Sequence, residues 1–180
     1  MKQIYLVRHC QAAGQEAEAP LTKNGIEQAE QLVSLFDGYP IDRIVSSPFH
    51  RAIATIQPLA EERGLTIEQD RRLEERILSG QPMEDWLDRL RDTFDELSLC
   101  YEGGESSMTA IHRANELLTE VLSGDDNHVV LVSHGCLLTL LMKSIDDQFG
   151  FKEWQQLKNP DVYLLTCMEH TRELKHIWNE

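Results

Sequence analysis

Ile4-Tyr5-Leu6-Val7-Arg8-His9-Cys10 begins as a continuous apolar run and carries two basic side chains, Arg8 and His9, near its end. A run without alternation of polar and apolar residues is typical of a strand that helices cover on both faces. The change at Arg8 and His9 indicates that the strand ends there. Open α/β sheets bind their ligands outside the carboxyl ends of parallel strands. We therefore interpret this segment as the first strand of such a sheet and as the start of a candidate site.

Two further segments are expected to end beside the first one. Leu131-Val132-Ser133-His134-Gly135 repeats the pattern of a buried strand that ends in histidine. Ile41 to Ser46 reads as another strand, and the helix that follows it carries an arginine in its first turn. If the three strands point the same way, their basic side chains meet at one edge of the sheet. These side chains are Arg8, His9, Arg51 and His134.

The rest of the chain alternates short apolar runs with longer amphipathic segments, which predicts an α/β fold with a mainly parallel sheet. We expect helices on both faces of this sheet, in a single domain that spans residues 1–180. The predicted strands are Ile4–Val7, Ile41–Ser46, Leu65–Glu68 and His128–Val132, with a closing hairpin of Val162–Met168 and Glu173–Trp178. The predicted helices lie between Thr22 and Gly38, between Pro48 and Gly64, over Met83–Leu97, over Glu105–Leu122, and from Leu137 to about Ile145.

The composition limits the classes of partner. The chain has 180 residues, of which 41% are hydrophobic and 27% are charged, as is ordinary for a globular protein. Its net charge of −14 argues against nucleic acid or an anionic membrane, because both attract a positive surface. The most apolar stretch, Val129 to Met142, contains Ser133, His134 and Gly135 and falls short of the roughly 20 residues of a membrane helix. We expect a cytoplasmic protein.

The histidines and cysteines form no metal-binding pattern. The four cysteines include no CxxC pair, and the seven histidines include no HxH or HxxxH spacing. We therefore expect no metal and no cofactor, and we expect the cysteines to be reduced.

Paired arginines and histidines suit a phosphoryl group. Arginine forks bind phosphate oxygens through two parallel charge-assisted hydrogen bonds. One imidazole can attack phosphorus if its reactive nitrogen is unprotonated, and a second, protonated imidazole can stabilise charge on the equatorial oxygens. Taken singly, a histidine after a strand is usually structural, and arginines on an acidic protein usually form surface ion pairs of little energy. Their joint occurrence at three strand ends favours a phosphate site.

Six short motifs follow one another along the chain: Leu6-Val7-Arg8-His9; Pro20-Leu21-Thr22-Lys23-Asn24-Gly25 with Gln28-Ala29; Ser46-Ser47-Pro48 with Arg51-Ala52; Leu73-Glu74-Glu75; Gly103-Gly104-Glu105-Ser106; and Val132-Ser133-His134-Gly135. In this order, and over almost the whole chain, the sequence resembles the histidine phosphatase superfamily, which includes the cofactor-dependent phosphoglycerate mutases. The resemblance implies a three-layer αβα sandwich of the phosphoglycerate mutase type.

The resemblance also implies a metal-independent phosphatase that hydrolyses a phosphate monoester through a phosphohistidine intermediate on His9. Glu75 would protonate the leaving oxygen and then activate the water that attacks phosphohistidine. Glu74 is the adjacent alternative, and the Leu-x-Glu spacing favours Glu75. Gln15 lies where the family places an Asn or Gln contact to phosphate. The rest of the phosphate pocket would be Arg8, Arg51, His134 and Gly135.

The sequence departs from the family pattern beside the nucleophile. Cys10 stands where the family usually has glycine, and Gln11 stands where many members have glutamate. His9-Cys10 could also begin the HCx5R loop of cysteine-dependent phosphatases, but the arginine position of that loop is Glu16, which would repel phosphate. The loop from Gln11 to Ala19 is shorter than in the mutases.

The segment Ile77 to Glu102 bears on the type of reaction. The mutases carry a basic insertion here, which holds the second anionic group of their substrate, whereas this segment is largely an acidic helix. Arg89 and Arg91 are expected to pair with acidic residues along that helix. Water should then compete successfully with re-phosphorylation of a bound product, which favours a phosphatase. A phosphoglycerate mutase-type phosphotransferase and a non-catalytic regulator that binds phosphorylated ligands remain the alternatives. The expected partner is a small phosphorylated metabolite or a phosphoprotein, and the oligomeric state is open.

Overall fold

A computed structural model describes residues 1–179 and places a six-stranded sheet between two layers of helices. The strands are β1 (Lys2–Arg8), β2 (Arg43–Ser46), β3 (Ile67–Gln69), β4 (His128–Ser133), β5 (Asp161–Cys167) and β6 (Arg172–His176). The helices are α1 (Lys23–Phe36), α2 (His50–Arg63), α3 (Trp86–Asp95), α4 (Ser107–Ser123), α5 (Gly135–Ile145) and α6 (Phe151–Gln156). Within this part of the chain, no helix is both long and apolar enough to span a bilayer. The predicted α/β sandwich is confirmed.

The sheet has the strand order β3-β2-β4-β1-β5-β6. The first four of these strands are parallel to one another, whereas β5 and β6 add an antiparallel edge, as expected for the closing hairpin. Arg8 pairs with Ser133, and Ser46 pairs with Val132, so that β1, β4 and β2 end level with one another. The carboxyl ends of the three strands therefore form one edge, from which the site is built.

Strand β1 contributes to both halves of the core. Its side chains alternate between the two faces of the sheet, as the pleat requires. Ile4 and Leu6 pack with α3, α4 and α5, whereas Tyr5 and Val7 pack with α1 and α2. All four residues are at most 1% exposed. A strand that is buried on both faces has no position for a polar side chain, which explains the unbroken apolar run.

The helices differ from the sequence prediction at several of their ends, and one short helix was missed. The backbone of Phe49 is extended (ψ 135°), so α2 begins at His50 and Pro48 lies outside the first turn. Helix α5 begins at Gly135, immediately after His134, and not at Leu137. Helix α6 was not predicted, because a helix of six residues is too short to show a clear apolar period.

Candidate active site

Three segments leave the sheet side by side and carry the candidate site. The N–H of His9 donates to the carbonyl of Ser133 (3.1 Å), which extends the ladder between β1 and β4 by one residue. Ser47 continues β2 on the other side of β4 in the same way, and Arg51 follows in the first turn of α2. The ring centroids of His9 and His134 are 5.2 Å apart. The structure thus brings the basic residues of the three strand ends together.

The hydrogen bonds of His9 define its tautomer. Its Nδ1 lies 2.7 Å from the carbonyl oxygen of Cys10, and because this oxygen can only accept, Nδ1 carries the hydrogen. On the other side of the ring, Nε of Arg51 donates to Nε2 of His9 at 3.2 Å. Nε2 therefore presents a lone pair, and the guanidinium of Arg51 lies directly beside it. This is the arrangement that a nitrogen nucleophile requires.

The surroundings of His9 keep its ring neutral. Burial lowers the pKa of His9 to about 4, and the nearby charges of Arg51 and Arg8 act in the same direction, against the hydrogen bond to Cys10. The side chain is only 6% exposed. At neutral pH, the lone pair on Nε2 is thus available without prior removal of a proton.

His134 forms the second imidazole of the site and is fully buried. Its Nε2 lies 2.8 Å from the hydroxyl oxygen of Ser47, and its Nδ1 has no hydrogen-bond partner among residues 1–179. Burial lowers the pKa of His134 well below its usual range, and the positive charges around it add to the effect. The protonated form that the sequence prediction assigned to His134 would therefore need an anion beside the ring.

Arg51 links the nucleophile to the loop between β1 and α1. Its Nη1 donates to the carbonyl oxygens of Gln15 (3.1 Å) and Glu16 (2.9 Å), and its guanidinium lies 5.1 Å from the ring centroid of Phe49. The side chain is 1% exposed. The backbone carbonyl of Gln15 thus helps to position Arg51. Gln15 also lines a cavity beside the site, together with Arg8.

Arg8 is held against the start of α5. Its Nη1 donates to the carbonyl of Leu157 (2.9 Å), whereas its buried Nε has no hydrogen-bond partner in the described part of the chain. A Cβ atom at Gly135 would lie 3.0 Å from Nε and 3.1 Å from Cζ of Arg8. A larger residue at position 135 would therefore shift the guanidinium by a few tenths of an ångström. Gly135 thus makes room for Arg8, while its predicted contact with the substrate stays a prediction.

Glu75 lies at the N-terminus of α5. Its Oε2 accepts from the N–H of Cys136 (3.0 Å), and its Oε1 accepts from the N–H groups of Leu137 (2.9 Å) and Arg76 (2.8 Å). A carboxylate at this position satisfies free N–H groups of the first turn and interacts favourably with the helix dipole. The charge of Glu75 also raises the pKa of both Arg8 and Arg51, against the larger effect of their burial. Glu75 thus belongs to the same charged cluster.

Cys10 does not have the properties of a reactive cysteine. It is fully buried, and burial raises the pKa of its thiol to about 12. Its backbone N–H donates to the hydroxyl of Thr55 (2.8 Å), which in turn donates to the carbonyl of Arg51 (2.7 Å). The residue at position 10 therefore helps to place α2, and its thiol stays protonated at neutral pH.

Sequence reasoning missed several residues around the site. Asn159 donates from Nδ2 to the backbone carbonyl of His9 (2.9 Å), and Trp86 and Trp154 line a cavity that adjoins Arg8 and Glu75. Asn159 precedes a proline and reads only as part of a turn. The two tryptophans lie in different elements far apart in sequence, and no spacing signal connects them.

The chain matches known proteins in sequence and in fold. A family model of the histidine phosphatase superfamily (branch 1) matches residues 4–180. The chain therefore belongs to the histidine phosphatase superfamily. A relative from Yersinia pestis (strain Pestoides F), named probable phosphoglycerate mutase GpmB, is 29% identical over 163 residues, which cover 81% of this chain and 75% of the relative.

Solved structures confirm the phosphoglycerate mutase-like fold. A mycobacterial glucosyl-3-phosphoglycerate phosphatase in complex with inorganic phosphate has a TM-score of 0.79 at 24% identity, with 100% of this chain and 98% of that chain covered. YhfR of Bacillus stearothermophilus also has a TM-score of 0.79, at 21% identity, with 98% of this chain and 96% of that chain covered.

The tautomer and the pKa of His9 can be measured by nitrogen NMR of histidine-labelled protein, with the His9→Ala variant to assign the signal. At pH 7 we expect the chemical shifts of a neutral ring with hydrogen on Nδ1, and a titration midpoint near pH 4. The unfolded chain takes up this proton near the ordinary pKa of 6.5, so folding stability should fall as the pH is lowered from 6.5 toward 4. A midpoint at or above pH 6.5 would contradict the burial of the ring.

Gly135→Ala tests the contact between the start of α5 and Arg8. Because the new methyl group shifts the guanidinium by a few tenths of an ångström, we expect phosphate to bind severalfold more weakly while the fold is kept. Isothermal titration with inorganic phosphate measures the affinity, and circular dichroism monitors the fold. Gly38→Ala is the matched control, because a Cβ at Gly38 would meet nothing within 4 Å. Equal phosphate affinity in Gly135→Ala and the wild type would show that the close contact between Gly135 and Arg8 is not needed for phosphate binding.

Proposed function

We propose that this protein is a phosphatase that hydrolyses phosphate monoesters through a phosphohistidine intermediate on His9. The observation that carries the proposal is the pair of hydrogen bonds on the His9 ring, which fix the hydrogen on Nδ1 and turn the lone pair of Nε2 toward Arg51. Attack on an anionic phosphoryl group needs an unprotonated nitrogen and a cationic donor beside it, and His9 and Arg51 supply the two.

In the first step, Nε2 of His9 forms a bond to phosphorus while the bond from phosphorus to the ester oxygen breaks. The incoming phosphoryl group takes over the donor of Arg51 that now points at Nε2. Arg8 supplies a second guanidinium, whose buried Nε still lacks a partner within residues 1–179. Negative charge on the phosphoryl oxygens would also favour uptake of a proton by His134, which would then act as the cationic imidazole. Each such donor contributes roughly 3 kcal/mol to lowering the barrier.

Glu75 donates a proton in the first step and accepts one in the second step. In its acid form it gives a proton to the departing ester oxygen, so that a neutral alcohol leaves. In its carboxylate form it then accepts a proton from the water that attacks phosphohistidine, which returns Glu75 to the acid form and releases phosphate. The backbone N–H groups at the start of α5 fix the carboxyl group in place, and they are supplied by Cys136 and Leu137.

The charges near the site favour hydrolysis over transfer between two positions of one substrate. Arg89 pairs with Asp85 at 2.8 Å and Arg91 pairs with Asp88 at 2.9 Å, so the arginines of α3 are engaged along their own helix, as predicted. A mutase must hold its product by a second anionic group until the phosphoryl group returns. The phosphoglycerate mutase named among the relatives keeps that reaction as the second candidate. The proposed substrate is a small phosphorylated metabolite or a phosphoprotein in the cytoplasm.

Replacement of the nucleophile tests the proposed function. His9→Ala should lower kcat for p-nitrophenyl phosphate by at least about a thousandfold, because no other group can form the covalent intermediate. The wild-type activity should be unchanged by EDTA. His112→Ala is the matched control, since the His112 side chain is 77% exposed on α4 and should leave kcat as it is.

Substantial turnover by His9→Ala would refute the phosphohistidine mechanism. The same preparations, given a phosphoglycerate with and without a bisphosphate primer, separate the two candidate reactions. Release of inorganic phosphate that does not depend on the primer supports a phosphatase. Primer-dependent interconversion of phosphoglycerates, faster than phosphate release, would identify a mutase.

A further inference from the structure

A cavity of about 460 Å³ opens directly beside the phosphate-binding side chains. Arg8, Gln15 and Glu75 form the part of its wall that belongs to the candidate site. If Glu75 protonates the ester oxygen, the leaving group must lie against Glu75 and therefore within this cavity. The cavity is also lined by the apolar residues Leu78, Trp86, Leu90 and Trp154.

Two tryptophans form an aromatic corner in this cavity. The rings of Trp86 and Trp154 are 6.4 Å apart and nearly perpendicular, at 87°. Trp154 also stacks on Phe151, with ring centroids 5.5 Å apart and an interplanar angle of 28°. Trp86 is 48% exposed, although it lies on a helix that carries three aspartates. A tryptophan left half exposed gains little for folding, whereas a perpendicular pair beside a catalytic carboxyl offers one face and one edge to a flat apolar group.

Arg76 adds one polar feature to the wall of the cavity. It is only 5% exposed, and it donates to the carbonyl oxygen of Glu105 (2.8 Å) and the hydroxyl of Thr93 (3.0 Å). Its Nη2 is buried and has no partner among the described residues. These hydrogen-bond acceptors are neutral, so the buried guanidinium lacks a directly bonded carboxylate. A buried charge of this kind is costly without an anionic acceptor, which a substrate can supply.

We infer that the cavity holds the leaving group of the substrate, and that the preferred leaving group has a flat aromatic part for Trp86 and Trp154 and a carboxylate for Arg76. This inference rests on the proposed function, because it assumes that Glu75 faces the ester oxygen. The aromatic part gains from removal of apolar surface from water, and the carboxylate gains a charge-assisted hydrogen bond. Small polyhydroxylated esters would leave the aromatic corner unused.

Benzyl phosphate and ethyl phosphate test the aromatic part, because both are esters of simple alcohols and differ mainly in the ring. We expect kcat/KM of the wild type to be at least about tenfold higher for benzyl phosphate. Trp86→Ala should reduce this ratio at least about fivefold. Ile26→Ala, which removes a 58% exposed side chain from α1 in the opposite helical layer, should leave the ratio unchanged.

The outcomes distinguish this inference from the proposed function. Hydrolysis of both esters with equal kcat/KM would overturn the aromatic corner as a specificity site while the phosphatase activity stands. If the ratio of kcat/KM for benzyl phosphate to kcat/KM for ethyl phosphate is the same in Trp86→Ala and the wild type, Trp86 does not bind the aromatic part of the leaving group. Failure to hydrolyse either ester or p-nitrophenyl phosphate would overturn the proposed function itself.

The three ring isomers of carboxybenzyl phosphate test the role of Arg76. At least one isomer should exceed benzyl phosphate in kcat/KM by about tenfold, and Arg76→Gln should remove this gain. Turnover of ethyl phosphate shows whether the variant is folded. If the variant is unfolded, the test uses the wild type only. In that case, kcat/KM values for all three isomers no higher than that for benzyl phosphate would overturn the carboxylate part of the inference.

Discussion

The hydrogen bond between Nδ1 of His9 and the carbonyl oxygen of Cys10 is the constraint on which the candidate site depends. It is made within the turn that ends β1, so the backbone itself decides which nitrogen of the ring carries hydrogen. The opposite nitrogen then faces Arg51 as an acceptor. Without this bond the ring could rotate or change tautomer, and the guanidinium would face an N–H group. Strand β1 is buried on both faces, and β1, β2 and β4 end level with one another. The fold thereby holds the turn at His9 beside Arg51.

The candidate site concentrates basic side chains inside an acidic protein. The chain carries a net charge of −14, yet the half-buried Arg8 lies close to the buried Arg51, His9 and His134. Burial lowers the pKa of both arginines and both histidines, which means that their positive charge is stabilised less than it would be in water. An incoming phosphoryl dianion would relieve this cost, and two neutral imidazoles repel the arginines less than two imidazolium cations would.

The sequence predicted the elements that carry local signals. The run before His9, the cap at Thr22 and the strand before His134 each have a pattern that physical rules can read, and all three were found. The superfamily and the fold followed from the order of the motifs. The sequence could not show that Glu75 caps α5, because that contact joins segments about sixty residues apart. The corner of Trp86 and Trp154 was missed for the same reason, and α6 is too short to have a readable period.

The phosphohistidine intermediate is the central claim, and rapid acid-free quenching of the Glu75→Gln variant with a phosphate monoester tests it most directly. With p-nitrophenyl phosphate as the monoester, the leaving group departs without a proton from Glu75, so the variant is impaired mainly in the second step and the covalent intermediate should accumulate. We expect peptide mass spectrometry to find one phosphoryl group per chain on Nε2 of His9, in a bond that is lost in mild acid. Hydrolysis that proceeds without any phosphorylated His9, or a phosphoryl group attached to another residue, would contradict the account.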